Sequence, residues 1–376
     1  MPQPTLCMVH NTIGTQSSIA KIALWGVQQA LNAGWRVTVV ANDVDRSLQA
    51  DVEWLRLYVP PKAFLVQWLA ARKTIQAALN GRTFDVLHVH QAQVAALADV
   101  MQCHFLTRVA YEQHCLETRN GLKPALLRVQ QQGVLHAEDY YYRRWHPSTR
   151  MLFDSEMTRR DFARLYGMPP GGQVFLYASP PYNPSSEQER TEARLALIGP
   201  QHKGLVLGYL GGVDVRKGYQ RLITALEGDN EAFLLMGGPN SQGFTVPTLA
   251  GRFKSVGMVQ DLATFYAACD VFVIPSLYEP FGLVALEAAA RGVPVLATEE
   301  VGALPHLIEY GAGVAWDTTQ PLWPLVCDLR LRHVETQAGA KRMTEDLSEQ
   351  RQGQRLLQIY EDVLQVKKTK PAVCLT

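Results

Sequence analysis

Short apolar runs that alternate with longer amphipathic stretches organise the first half of the chain. Four runs have the length and composition of buried strands, and they lie at 6–10, 35–41, 85–90 and 100–104. Ser17 and Ser18 can cap a helix over 19–31, and Gly34 can end it. Because strands that alternate with helices form parallel sheets, this half predicts a doubly wound α/β domain.

The same alternation starts again in the second half. Further strands are predicted at 204–210, 232–236, 271–275 and 293–297, and the helices between them at 219–226, 261–268 and 283–291. A cluster of Pro, Asn and Ser at 178–186 is typical of a linker. We therefore predict two Rossmann-like domains, at 1–182 and 183–353, that face each other across a cleft.

The segment 354–376 closes the chain. Its first part, 354–366, has the pattern of an amphipathic helix, and the rest forms a loose tail. We expect the helix to cross back to the first domain. In both domains the reactive positions are expected in loops at the carboxyl ends of the strands.

Composition narrows the class of protein without naming a function. Hydrophobic residues make up 47% and charged residues 19%, and no apolar run is long enough to cross a membrane. We find no secretory signal at the N-terminus, and the six cysteines form no CxxC pair, so we expect reduced thiols in the cytoplasm. The net charge is +1, divided into +5 over 1–182 and −4 over the rest. A basic first half suits an anionic acceptor or a membrane surface, or has no functional meaning.

The segment 278–292 carries the sharpest chemical signal. It reads YEPFGLVALEAAARG and follows a predicted strand. Phe281 and Gly282 are predicted to open a helix whose free N–H groups suit a diphosphate. Glu287, about two turns into that helix, can accept hydrogen bonds from a diol such as a ribose, and Glu279 is expected nearer a sugar. The alternative is that Glu279 is a solvated loop acid and Glu287 a helix-face acid, with no functional meaning in their spacing.

This segment resembles the Glu-x7-Glu motif of the family-4 glycosyltransferases, which have the GT-B fold and retain the anomeric configuration. The resemblance implies that Glu279 contacts the donor sugar and that Glu287 binds the nucleotide ribose. It also implies that the backbone amides of Phe281, Gly282 and Leu283 meet the diphosphate and the sugar.

A second segment, 209–218, is similar to the Gly-Arg…Lys-Gly segment of that family. Lys217 matches the lysine that neutralises the donor phosphates, whereas Gly212 stands where the family usually has arginine. Arg216 is a candidate replacement for this charge. The same layout, together with a long polar helical stretch at 122–145, resembles the lipopolysaccharide-core α-glucosyltransferase branch.

Glycine-rich turns complete the resemblance. Gly238 lies in a turn that the family places near the nucleotide, and Met258 and Val259 stand where the family's backbone holds the base. A base that is held by backbone atoms requires no characteristic side chain, so the sequence does not distinguish uracil, adenine and guanine. Gly14, in the segment TIGTQSS after the first strand, matches the family's Gly-Gly loop in part.

Histidines are concentrated in the first half, which holds seven of the ten: His10, His88, His90, His104, His114, His136 and His146. His88 and His90 alternate on one strand, but no third ligand is nearby, so we expect no metal. His104 ends a strand at the position where related GT-B enzymes have a His or Asp that faces the donor sugar. We predict His104 for that role, with His90 or an ordinary loop histidine as the alternatives.

Together these residues predict a retaining, metal-independent hexosyltransferase with His104 and Glu279 as its catalytic residues. The donor is expected to be a nucleotide diphosphate sugar, UDP-linked and glucose-type, and the acceptor a glycan, a lipid-linked molecule or a small molecule of cell-surface polysaccharide biosynthesis. We expect no cofactor and no nucleic-acid partner. Two alternatives stay open: a GT-B protein that binds nucleotide sugars without turnover, and a GT-B sugar-nucleotide epimerase.

The segment 60–82 has two interpretations. It places one apolar stripe near positive charge, the stripe being Phe64, Leu65, Trp68, Leu69, Ile75 and Leu79 and the charges Lys62, Arg72 and Lys73. Such a helix either packs its stripe on the sheet or lies peripherally on an anionic membrane at the cytoplasmic face. Packing on the sheet is the commoner use of an apolar stripe.

Overall fold

The computed structural model describes residues 3–58, 64–90, 94, 97–113, 122–200, 202, 204–228 and 231–369. The chain divides into two compact units. The first contains Met1–Val109, Thr118–Tyr177 and Gln350–Thr376, and the second contains Ala110–Glu117 and Ala178–Glu349. Each unit is built on a parallel sheet with helical crossovers, which confirms the predicted α/β class.

The sheet of the first unit has seven parallel strands in the order β5-β3-β1-β6-β7-β8-β9. The strands of this half are β1 Thr5–Val9, β2 Thr12–Ile13, β3 Arg36–Ala41, β4 Asp43–Val44, β5 Glu53–Arg56, β6 Val86–Val89, β7 Val100–Cys103, β8 Arg150–Phe153 and β9 Gln173–Val174. The short strands β2 and β4 pair with each other. The central strands are buried along nearly their whole length, and their sequences are mostly apolar, with His88 and Gln102 as buried polar exceptions in β6 and β7.

The described residues of this half also form the helices α1 Ser18–Asn32, α2 Phe64–Leu79, α3 Thr107–Glu112, α4 Leu122–Tyr142 and α5 Glu156–Tyr166. Ser17 caps α1, because its side chain accepts a hydrogen bond from the Ala20 N–H at 3.2 Å. Ser18, the other predicted cap, is instead the first residue of the helix.

The second unit has a six-stranded parallel sheet in the order β12-β11-β10-β13-β14-β15. Its strands are β10 Leu205–Leu210, β11 Ala232–Gly237, β12 Phe253–Ser255, β13 Val271–Ile274, β14 Val295–Ala297 and β15 Gly313–Ala315. Its helices are α6 Glu187–Leu197, α7 Tyr219–Glu227, α8 Leu262–Ala267, α9 Leu283–Ala290, α10 Leu304–Tyr310, α11 Trp323–Leu331 and α12 His333–Asp346. The core joins apolar side chains of β10, β11 and β13 to those of α7 and α11.

The last helix, α13 Glu349–Thr369, packs on the first unit. Its residues Leu356, Tyr360 and Val363 lie in one apolar cluster with Leu6 and Val39 of the central strands. Tyr360 is fully buried there. The end of the chain therefore supplies part of the core of the domain in which the chain begins.

Helix α2 contains the apolar stripe of the segment 60–82. Ile75 is fully buried and Leu79 is half-buried, so this part of the stripe serves the protein core. Lys62 and the side chains of Phe64, Leu65, Trp68 and Leu69 lie outside the described residues. Among the helices that the structure describes, none is both long and apolar enough to cross a membrane.

Candidate active site

Three charged side chains of the second unit converge at the carboxyl end of its sheet. Glu279, in the loop after β13, forms an ion pair with Lys217 through Oε2, and the same oxygen lies 3.3 Å from Nη1 of Arg216. Arg216 also donates to the Tyr278 carbonyl at 2.9 Å. The cations come from the loop after β10, about 60 residues away in sequence. All three side chains are only partly exposed, which strengthens their electrostatic interaction relative to water.

The loop after β10 is held in place by a cap and a glycine. The Asp214 carboxylate accepts a hydrogen bond from the Arg216 N–H at 2.9 Å and so begins a single 3₁₀ turn, Val215–Lys217. Gly218 ends this turn with a φ of +70°. A Cβ at Gly218 would lie 1.8 Å from the carbonyl oxygen of Pro275, so the close approach of the two loops requires glycine there.

Gly212 explains why the arginine of the family pattern is missing. This residue has a φ of +67°, and a Cβ would lie 1.9 Å from the carbonyl oxygen of Pro239. The Val213 N–H donates to that same carbonyl at 3.0 Å, which fixes the contact. An arginine therefore does not fit this backbone, and Arg216 is the guanidinium that reaches Glu279 instead.

Helix α9 begins directly beside Glu279. Gly282 precedes its first residue with a φ of +95°, and Phe281 is buried just before it. The first N–H groups of the helix have no partners within the helix, and the helix dipole adds positive potential at this end. Glu287 is the fifth residue of α9, so the prediction that it lies about two turns in was wrong. The left-handed Gly282 delays the start of the helix and leaves Glu287 about one turn in.

Tyr266 fixes the carboxylate of Glu287. Its hydroxyl donates to Oε2 of Glu287 at 2.7 Å. Tyr266 is fully buried, and burial, followed by the nearby charge of Glu287, raises the pKa of the phenol well above its usual value. The phenol therefore stays a donor at physiological pH. Tyr266 was not predicted from the sequence, because nothing in a tyrosine near the end of helix α8 indicates its partner.

The predicted base-binding turns lie next to each other. The Gly238 N–H donates to the Gly257 carbonyl at 2.8 Å, and Gly238 has a φ of +117°. Val259 is half-buried, whereas Met258 is 63% exposed. The structure thus brings the glycine turn after β11 beside the segment that contains Met258 and Val259.

In the first unit, polar residues follow neighbouring strands at the point where each strand ends. His10 follows β1, His90 follows β6, His104 follows β7 and Asp154 follows β8. These strands are adjacent in the sheet, so their carboxyl ends bring the four side chains to one edge. Ligands of doubly wound domains bind at this edge.

Three of these residues and the buried Tyr177 form a continuous set of hydrogen bonds, here called the polar chain: His90, His104, Tyr177 and Asp154. Nδ1 of His90 lies 2.7 Å from Nε2 of His104, and Nδ1 of His104 lies 2.6 Å from the Tyr177 hydroxyl. Tyr177 donates to Oδ2 of Asp154 at 2.6 Å. His104 and His90, which the sequence offered as alternatives, are therefore direct partners.

Neither Tyr177 nor Asp154 was predicted from the sequence. Asp154 had a detectable signal, since it is an acid placed directly after the apolar run of β8. Tyr177 lies three residues beyond the short strand β9 and gave no such signal.

Burial keeps the neighbouring histidines neutral. It lowers the pKa of His10 to about 4 and that of His88 to about 3. It also lowers the pKa of His90 well below 6.5, an effect to which the charges of His88 and His104 add. His88 stacks on His90 with ring centroids 4.5 Å apart, and its Nδ1 lies 2.7 Å from the Tyr360 hydroxyl.

Two further predicted features have simpler surroundings. Gly14 lies just before α1, where its N–H donates to the Ala20 carbonyl at 3.3 Å. His114 lies outside the described residues. Within the part of the chain that the structure describes, no three His, Cys, Asp or Glu side chains are arranged to hold a metal ion.

Comparison with known families gives two matches along the chain. Residues 4–175 match the model described as Glycosyltransferase Family 4, and residues 204–321 match the model described as Glycosyl transferases group 1. A D-inositol 3-phosphate glycosyltransferase of Corynebacterium kroppenstedtii is 33% identical over 208 residues, with 49% of this chain and 46% of the relative covered. An uncharacterized glycosyltransferase of Methanocaldococcus jannaschii is 27% identical over 250 residues, with 62% of each chain covered. The chain therefore spans about half the length of the first relative and less than two thirds of the second.

Solved structures resemble this chain over nearly its whole length. WaaG, a glycosyltransferase involved in lipopolysaccharide biosynthesis, has a TM-score of 0.71 at 16% identity, with 97% of this chain and 100% of WaaG covered. A sucrose-phosphate synthase of Thermosynechococcus elongatus has a TM-score of 0.74 at 18% identity, with the same coverage. Anabaena HepE, solved in complex with UDP and glucose, has a TM-score of 0.64 at 18% identity, with 97% of this chain and 99% of HepE covered. At these identities the likeness shows the fold alone: the two units together have the GT-B fold.

Proposed function

We propose that this chain, which carries family-4 and group-1 glycosyltransferase domains on a GT-B fold, transfers a sugar from a nucleotide diphosphate donor to a hydroxyl acceptor. The observation that carries the proposal is the convergence of Arg216 and Lys217 on Glu279 beside the start of α9. Arg216, Lys217 and Glu279 carry one net positive charge among themselves, and the Asp214 carboxylate, 4.0 Å from Nη2 of Arg216, offsets part of it. A diphosphate suits such a site, since helix N–H groups and cations both stabilise its oxygens.

Each group of this cluster has a distinct task in the proposed reaction. Arg216, Lys217 and the first N–H groups of α9 stabilise the negative charge that grows on the departing diphosphate. Glu279 contacts the donor sugar, and Glu287, oriented by Tyr266, accepts hydrogen bonds from the ribose hydroxyls. The backbone near Gly238, Met258 and Val259 holds the base.

We further propose a UDP-linked, glucose-type donor and retention of the anomeric configuration. The support is the Glu-x7-Glu spacing of Glu279 and Glu287 and the fold shared with HepE, which was solved with UDP and glucose. The likeness to WaaG supports an acceptor from cell-surface glycan synthesis. Because Arg216 and Lys217 supply positive charge at the phosphate position, we propose that transfer needs no metal ion.

A cytoplasmic location is part of this proposal. The cysteines within the described residues are free: Cys7, Cys103 and Cys269 are buried and Cys327 is half-buried. Unpaired thiols are typical of proteins in reducing compartments.

We also propose peripheral contact with anionic lipid, based on the +5 charge of 1–182 and on the exposed Lys73 of α2. Each basic residue near such a surface adds about 1 kcal/mol, screened by salt. The test is flotation with liposomes of rising anionic content, and we expect binding at low salt that is lost at high salt. Binding that ignores salt and lipid charge, or no binding to anionic vesicles at low salt, would contradict this contact.

The main experiment tests donor binding first and turnover second. Thermal shifts of the full chain with UDP-, GDP- and ADP-sugars should show stabilisation by one nucleotide class, and that donor should then be hydrolysed slowly. Lys217→Ala should abolish the shift, whereas Lys341→Ala, which removes an exposed lysine of α12, should leave it unchanged. No shift with any donor would refute the proposal, and a shift without hydrolysis or transfer would favour a non-catalytic binding protein.

A further inference from the structure

Asp154 determines which atoms donate and which accept hydrogen bonds along the polar chain of the first unit. An ionised carboxylate only accepts hydrogen bonds, so Tyr177 uses its one proton to donate to Asp154. The Tyr177 oxygen then accepts from the Nδ1–H of His104. With its ring proton at Nδ1, His104 has a bare Nε2, which is the acceptor in its contact with His90.

The hydrogen bond between His104 and His90 also has a defined donor. Nε2 of His104 accepts, and one proton lies between the two rings, so Nδ1 of His90 is the donor across the 2.7 Å contact. Neutral His90 is then bare at Nε2. That atom is buried and has no hydrogen-bond partner among the described residues. A buried acceptor without a donor costs free energy, so a donor at this point would be bound favourably.

We propose that Asp154 and Tyr177 are positioning residues that hold His104 and His90 as Nδ1–H tautomers, so that Nε2 of His90 accepts a hydrogen bond from a hydroxyl group during sugar transfer. The hydroxyl belongs to the acceptor or to one water that bridges to it. This inference rests on the proposed glycosyltransferase function. His90 directly follows β6, a central strand, at the edge where doubly wound domains bind ligands.

His104 takes a specific place in this arrangement. Both of its ring nitrogens are engaged, one with Tyr177 and one with His90. It therefore acts through His90. The distance of 3.8 Å between its Nδ1 and Oδ2 of Asp154 places the carboxylate behind the phenol, where it orients the whole chain.

The structure contains a matched control for Tyr177. Tyr360 is also a buried phenol whose hydroxyl lies against the Nδ1 of a histidine, in this case His88. That pair packs beside His90 but is not hydrogen-bonded to the polar chain. Tyr177→Phe and Tyr360→Phe each remove one oxygen from a buried ring, so a general effect of the substitution would appear in both variants.

The first measurement needs no substrate. Nitrogen-15 NMR of the imidazole rings in the full chain reports which nitrogen carries the proton, and we expect Nδ1–H in both His90 and His104 of the wild type. Tyr177→Phe removes the acceptor that holds His104, and Asp154→Asn introduces an amide able to donate, so both should shift His90 toward the Nε2–H form. Tyr360→Phe should leave both tautomers unchanged. Protonation of His90 at Nε2 in the wild type, or tautomers that ignore Tyr177→Phe, would overturn the proposal.

The second measurement is the kinetics of hydrolysis or transfer with the donor that gives the largest thermal shift. Tyr177→Phe should lower kcat about tenfold to a hundredfold, less than the loss of a directly acting acid or base, with donor KM within about twofold. Tyr360→Phe should leave kcat within about twofold. Equal losses in the two variants, or a change confined to KM, would overturn the positioning role. A wild type without any turnover would overturn the proposed function and this role with it, and the tautomers, measured separately, would show whether the polar chain itself exists.

Discussion

Acidification should destabilise the first unit, because three of its histidines are buried as neutral rings. The pKa is lowered by burial to about 4 in His10 and to about 3 in His88, and it falls well below 6.5 in His90. Unfolding returns each ring to a pKa near 6.5. Below pH 6.5 the unfolded chain therefore binds more protons than the folded one, and stability falls with pH until the folded pKa values are reached.

The size of the effect follows from these values. At about pH 5.5 an imidazole with a pKa of about 6.5 is roughly nine-tenths protonated, which favours the unfolded state by about 1.4 kcal/mol relative to pH 8. Three such rings give about 4 kcal/mol, a large part of the roughly 5–15 kcal/mol that stabilises a typical domain. Carboxylates change stability in the same direction, so the effect of a single ring has to be isolated by mutation.

Equilibrium urea unfolding of the full chain at about pH 7.5 and pH 5.5 measures the difference. His88→Gln removes one buried ring, and the variant should lose about 1.4 kcal/mol less than the wild type on acidification. His136→Gln is the control, because His136 is exposed on α4 and should leave the loss unchanged. Where the two units unfold in separate transitions, the transition whose midpoint changes in His88→Gln at pH 7.5 belongs to the first unit. Equal losses of unfolding free energy in the wild type and His88→Gln would show that His88 is not held neutral in the folded state.

Three further predictions concern the second unit. Glu287→Ala should weaken nucleotide binding by about 1.5–3 kcal/mol in calorimetry, because the ribose loses a charged hydrogen-bond partner, and unchanged affinity would remove Glu287 from this role. Gly212→Arg should destabilise the protein by about 2 kcal/mol or more in thermal unfolding, because it combines a positive φ with an overlap on Pro239, whereas Gly228→Arg, at a site with open space, should be nearly neutral; a neutral Gly212→Arg would mean that the loop adapts. EDTA should leave transfer largely intact, and a loss that magnesium or manganese restores would show that a metal is required.

The sequence predicted the interior strands of both sheets except β8, and the reason for this success is burial on two faces. β10, β11 and β13 are buried along nearly their whole length and read as unbroken apolar runs. Edge strands carry no such pattern. β5 reads EWLR and β12 reads FKS, and each is short and partly exposed, so neither was predicted.

Resemblance to the family motifs singled out Glu279, Glu287 and Lys217, and the structure brings Glu279 and Lys217 together in one ion pair. It did not predict that Arg216 and Lys217 pair with Glu279, since that pairing depends on how two loops about 60 residues apart approach each other. The close contacts at Gly212 and Gly218 set this approach, and they appear only in the fold. Tyr266 and Tyr177 were missed for the same reason, because a phenol's partner is chosen by tertiary packing.

Both units place polar groups at the carboxyl ends of their strands. The second unit does so with partly exposed charges, and the first does so mainly with buried aromatic rings. In the second unit, partly exposed charges pair with each other, so a diphosphate would have to compete with Glu279 for Arg216 and Lys217. Donor binding should therefore weaken as salt rises, because the partners are partly open to solvent. The polar chain of the first unit instead holds buried rings and one carboxylate, and its hydrogen-bond direction depends on which nitrogen carries a proton. Salt should hardly affect it, whereas deletion of a single hydroxyl should.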